Sequence, residues 1–102
     1  MDNMSDNPTD KQLDDVASAI KNLKGDEEIK SFLKDILTRS EQETFALRWT
    51  VAQMLDQGLP YTHIERETGA SSATIAKVSE FLKYGYNGYR AALDRMAEKP
   101  HS

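Results

Sequence analysis

Apolar positions recur along this chain at helical spacing. Leu13, Val16, Ile20 and Leu23 stand three or four residues apart, with Ala17 and Ala19 between them, and predict a helix from Asp10 that Gly25 stops. Asp26, Glu27 and Glu28 then put acid in a first turn, where the helix dipole favours it. Ile29, Phe32, Leu33, Ile36 and Leu37 form the stripe of a second helix. Ser40, with Glu43 three residues on, has the form of a capping box and predicts a third helix start.

The helix after Ser40 is apolar over most of its circumference. Phe45, Ala46, Leu47, Trp49, Val51, Ala52, Met54 and Leu55 cannot share one stripe. Such a helix is buried on more than one side. A chain of 102 residues has little surface of its own to cover it, so the pattern predicts a homodimer. Gly58 closes this helix and Pro60 suits the opening of the next. No run of β-branched residues alternates with polar ones. The expected fold is all-α, with about six helices. Residues 1–9 are polar, contain Pro8 and predict a disordered tail; residues 10–99 predict a single helical domain without repeats.

Residues 61–82 carry the most specific pattern. Ile64 predicts a short helix ending at Thr68, and Gly69 follows where a sharp turn needs positive φ. Ser71 or Ser72 caps a second helix, with Ile75, Val78, Phe81 and Leu82 on its inner face. This is the spacing of a helix-turn-helix. Ser71, Ser72, Ala73, Thr74, Ala76 and Lys77 leave the outer face small or polar. Hydroxyls and N–H groups there can meet phosphates or base edges, and a methyl can touch a thymine methyl. Thr62 and His63 are placed to contact the flanking DNA backbone. Glu65 stands where such units often carry alanine.

Charge changes this picture only slightly. The net charge is −4, but residues 1–59 carry −5 and residues 60–102 carry +1. The candidate reading unit is near neutral, with Lys77, Lys83, Arg90, Arg95 and Lys99 available for phosphates. No cysteine is present, so disulfides and thiolate metal sites are excluded, which fits a reducing cytoplasm. The first residues lack the basic start and apolar run of a signal peptide, and no apolar stretch could span a bilayer.

The run Gly69-Ala70-Ser71-Ser72-Ala73-Thr74-Ile75, with Leu37, Thr38 and Arg48 upstream, resembles the Trp repressor family. Within that family it is similar to Trp-repressor-related bacterial proteins of uncharacterised role. Leu82-Lys83-Tyr84-Gly85 and Ala92-Leu93-Asp94-Arg95 add to the resemblance, which covers roughly residues 10–97. The resemblance implies a six-helix fold, an intertwined homodimer, and a recognition helix that starts near Ser71. It also implies a corepressor pocket for L-tryptophan, to which Thr38, Arg48 and Lys77 would contribute. Here the chain departs from the pattern. Lys77 stands where the family has an arginine that forks the ligand carboxylate, Val78 where it has a glycine, and Phe81 where it has a serine. Lysine is a poorer fork than arginine. Val78 and Phe81 would fill the indole's space, so tryptophan binding is not expected. A different small-molecule effector at these positions stays open.

Trp49 reads as core or dimer interface. Tyr84, Tyr86 and Tyr89 read as packing the last helix, Asn87 to Lys99, onto the core. His63 and His101, without cysteines or clustered carboxylates, make no metal site. No nucleophile motif or phosphate-cradling loop supports an enzyme, and the acidic runs read as solvated faces. The sequence therefore points to a cytoplasmic, dimeric transcriptional repressor that binds double-stranded operator DNA, without cofactor or membrane. The alternative is a helical dimer that works through protein–protein contact.

Overall fold

The computed structural model describes residues 8–98. All regular structure among them is helical: α1 (Pro8–Lys21), α2 (Gly25–Ile36), α3 (Arg39–Asp56), α4 (Tyr61–Thr68), α5 (Ser72–Tyr84) and α6 (Gly88–Glu98). The chain groups into two compact units that divide after Gln42.

In the first unit, α1 starts at Pro8, before the expected Asp10, and a proline suits a first helical position. Residues 1–7 of the expected tail lie outside the described residues. Gly25 does not stop α1. Asn22 does so, its Nδ2 donating to the Ser18 carbonyl at 2.8 Å, and Gly25 instead opens α2. Glu28 reaches back to accept from the Lys24 N–H at 2.7 Å, which satisfies one of the orphan donors at that helix start.

The capping box of α3 stands two residues earlier than the sequence pattern suggested. Thr38 and Glu41 form it, not Ser40 and Glu43. The Glu41 N–H donates to Thr38 Oγ1 at 3.1 Å, and the Thr38 N–H donates to Glu41 Oε1 at 2.9 Å. Both pairs have the required spacing. Thr38 prevails because the chain is extended at Leu37 and already helical at Arg39, so Ser40 falls inside the helix. Gln42 Nε2 donates to the Lys34 and Leu37 carbonyls at 3.2 and 3.0 Å, closing the end of α2.

The second unit holds the core. Val51 and Ala52 of α3, Ile64 of α4, Ala70 of the turn, and Ile75 and Val78 of α5 form one buried cluster, with Leu47, Trp49, Met54, Leu55, Leu59 and Tyr89 packed against it. α4 packs on α5, and α5 on α6. The apolar girth of α3 is only partly covered. Val51 and Ala52 are buried, whereas Phe45 keeps 54% of its surface exposed.

Two other expectations fail here. Phe81 is not on an inner face: it is 44% exposed on the wall of a cavity described below. Of the three tyrosines only Tyr89 packs on the core; Tyr84 and Tyr86 are 83% and 91% exposed. Gly85 closes α5 between them. The Gly85 N–H donates to the Phe81 carbonyl at 3.0 Å. A Cβ at Gly85 would lie 2.5 Å from that oxygen, so only glycine fits. α6 then starts at Gly88, one residue later than expected. Asn87 precedes it at φ 69°, its carbonyl accepting from the Ala91 N–H at 2.9 Å.

Candidate nucleic-acid interface

The helix-turn-helix is built by short-range chemistry. Pro60, at φ −71°, leads into α4, and its carbonyl accepts from the Ile64 N–H at 3.1 Å. Ile64 is fully buried and anchors α4. Thr68 ties the turn on both sides. Its Oγ1 donates to the Ile64 carbonyl at 2.7 Å and accepts from the Ala70 N–H at 3.0 Å. Gly69 takes the left-handed conformation at φ 77°, where a Cβ is disfavoured, and its N–H bonds to the Glu65 carbonyl at 2.9 Å.

Ser71, not Ser72, caps α5. Its Oγ accepts from the Thr74 N–H at 3.1 Å and donates to Thr74 Oγ1 at 3.1 Å. Ile75, Val78 and Ser79 are buried beneath the helix. Ser71, Ser72, Ala73, Ala76 and Lys77 are exposed, and Thr74 is half-buried. Five of the six α5-side residues expected to face DNA therefore share one open face. Thr62 is exposed on α4, while His63 is half-buried.

Arg66 is a cation that the sequence reading passed over. Its Nη2 lies 3.4 Å from His63 Nδ1, and it is exposed one turn on from Thr62. The four-residue spacing of Thr62 and Arg66 is the signal that could have found it.

The positive charges available to phosphates are fewer than the sequence suggested. Arg90 is held by Asp56 at 2.9 Å and by Asp94 at 3.0 Å. Its pKa is raised, chiefly by the hydrogen bond to Asp56. Arg95 pairs with Glu98 at 3.4 Å. Lys99 lies outside the described residues. Lys77 and Lys83 form no ion pair among the described residues, and Lys77 lies on the exposed side of α5.

A cavity of about 670 Å³ adjoins this face. Arg48 and Lys77 bring two cations to it, and Trp49, Phe81, Tyr86 and Tyr89 bring aromatic rings. Val78 and Phe81 stand on its wall. Arg48, Lys77 and Val78 also line a second depression of about 380 Å³, with Ala73 and Thr74. Thr38, the third expected pocket residue, belongs to the first unit and caps α3. No group of three or more metal-ligating side chains comes together among the described residues. No described helix is long and apolar enough to cross a membrane.

Comparison with known proteins agrees with this architecture. Residues 11–97 match the family described as Trp repressor protein. The chain is 46% identical over 88 residues to the uncharacterized protein YerC of Bacillus subtilis, covering 86% of this chain and 85% of that protein. A crystal structure of a candidate Trp repressor from Staphylococcus aureus superposes with a TM-score of 0.81 at 35% identity, covering 98% of this chain and 100% of that one. A TrpR-like protein from Eubacterium eligens gives 0.79 at 33% identity with the same coverage. The chain belongs to the Trp repressor family.

Proposed function

We propose that this protein is a sequence-specific DNA-binding transcriptional regulator, a repressor that acts as a homodimer. Membership of a family of DNA-binding regulators supports a regulatory rather than an enzymatic role. The observation that carries the reading is the face of α5. A buried Ile75 and Val78 fix the helix from below, and Ser72, Ala73, Ala76 and Lys77 stand open above. No bulky side chain keeps the helix backbone from a major groove. In helix-turn-helix proteins, of which the Trp repressor is one example, the second helix lies in that groove and the first crosses the backbone. Thr62, His63 and Arg66 on α4 then meet phosphates beside Ser71 and Thr74. A reader of bacterial operators works in the cytoplasm.

The homodimer is supported by what one chain leaves uncovered. Leu13, Ile36, Phe45 and Met96 each keep more than half of their surface exposed. A second copy that covers them gains roughly 1.5–3 kcal/mol for each side chain fully buried.

Tryptophan is not the effector in this reading. Lys77 offers a point charge where a fork is needed, and Val78 adds a branched wall. Another anionic effector at Arg48 and Lys77 is compatible with the reading.

The test is a titration of duplex DNA with purified protein over a series of salt concentrations. Binding should weaken steeply with salt through counterion release. Ala73→Asp should abolish it while helical content and oligomeric state are kept. Binding that ignores salt would contradict the reading. It would favour a protein-binding role, for which the exposed Tyr84 and Tyr86 are suited. Unchanged affinity in Ala73→Asp would contradict the choice of face.

A further inference from the structure

We propose that Asn87 is a site of spontaneous deamidation, and that its conversion to isoaspartate loosens the start of α6. The chain has four asparagines, and Asn87 alone precedes a glycine. Deamidation begins when the backbone nitrogen of the next residue attacks the side-chain amide carbon. That attack needs an accessible carboxamide, an unhindered nucleophile and an N–H that is not already engaged.

All three conditions meet at the α5–α6 turn. Asn87 is exposed. Gly88 has no Cβ, and the space where one would stand holds nothing within 4 Å. As the first residue of α6, Gly88 has no acceptor one turn back for its N–H. Ring closure requires Asn87 to rotate out of its left-handed conformation at φ 69°. The first turn of a helix is where such opening costs least.

The step balances without an oxidant or a cofactor. A bond forms between Gly88 N and Asn87 Cγ, the Cγ–Nδ2 bond breaks, and the Gly88 amide proton passes through solvent to the departing nitrogen, which leaves as ammonia. Water then opens the succinimide at either carbonyl and gives aspartate or isoaspartate. In isoaspartate the main chain runs through the side-chain carbon. The carbonyl that now accepts from the Ala91 N–H at 2.9 Å is displaced, and α6 loses its first hydrogen bond. The turn also gains a carboxylate next to Tyr86 and Gly88, two walls of the cavity that Arg48 and Lys77 share.

Asn22 is an internal control. Its Nδ2 is held by the Ser18 carbonyl at 2.8 Å, and Leu23 follows it. The full-length protein is held at mildly alkaline pH and body temperature, and peptides are followed by mass spectrometry. Isoaspartate is counted by an isoaspartyl methyltransferase. The peptide containing Asn87 should convert at least about tenfold faster than that containing Asn22, because glycine leaves its amide unhindered. Gly88→Ala, which places a methyl in open space, should stop the conversion while the protein stays folded. The isoaspartate fraction should melt at lower temperature than fresh protein. Equal, slow conversion at both asparagines, or conversion that persists in Gly88→Ala, would overturn the proposal. An unshifted melting curve for the isoaspartate form would overturn the loosening of α6.

Discussion

Lys77 stands at the junction of both surfaces described here. It lies on the exposed side of α5, forms no ion pair among the described residues, and lines both depressions with Arg48. A free cation beside small groove-facing residues is suited to a phosphate. Lys77→Ala should weaken DNA binding across all sequences and lower the salt slope by about one. The check is the dependence of log affinity on log salt for the two proteins. A loss of affinity with an unchanged slope would place Lys77 in a neutral contact instead. Arg90→Ala should leave DNA affinity unchanged, since Asp56 and Asp94 already hold that guanidinium. This difference was not legible in the sequence. Arg90 and Lys77 look equally available there, and Asp56 approaches Arg90 only because the fold joins the end of α3 to the start of α6.

At the scale of elements, the best-read part of the chain is the one with the most local chemistry. Each bond that shapes the α4–α5 turn links residues within five positions of one another: Thr68 to Ile64 and Ala70, Gly69 to Glu65, Ser71 to Thr74. Local chemistry is visible in a sequence, and so the limits of α4 and the role of Gly69 were legible. The cap of α3 was not, because Thr38/Glu41 and Ser40/Glu43 offer the same pair of groups at the same spacing. Likewise Asn22 and Gly25 both suit a helix end, and only Asn22 takes that place. The outward tyrosines were missed because aromatic content alone does not say which side of Gly85 is covered. The exposure of Ser71, Ser72, Ala73, Ala76 and Lys77 follows from helical spacing and was legible; of the cavity beside it, assembled from α3, α5 and α6, Arg48 and Lys77 were expected, and the aromatic lining was not.

The turn yields a test of its own. Ser71→Ala removes the cap of α5 and should cost about 1 kcal/mol of stability. Gly69→Ala forces a Cβ into the left-handed region and should cost roughly 1–2 kcal/mol. Denaturant unfolding measures both. If neither variant moves the midpoint, the turn is not held by the bonds described here.

For the whole molecule, the exposed apolar surface is the dominant fact. No residue of α1 or α2 is buried within one chain, and α3 carries Phe45 into solvent. Small domains that fail to bury such side chains alone gain stability by pairing. Phe45→Glu should therefore produce monomers, or a marked loss of stability, in sedimentation and thermal-unfolding experiments. A wild-type protein that sediments as a monomer at high concentration would remove the dimer from the account. The acidic balance of the chain has a consequence at this scale too. A net charge of −4 disfavours loose attraction to arbitrary DNA, so discrimination rests on the face of α5.

That discrimination can be measured directly. Purified protein is mixed with fragmented genomic DNA and a small-molecule extract of its own cells, at low and at physiological salt, and the bound fragments are sequenced. The account predicts enrichment of a palindrome whose half-sites lie about one helical turn apart, and its loss with Ala73→Asp. A folded protein that enriches no sequence at either salt, or the same sequences with Ala73→Asp, would contradict it.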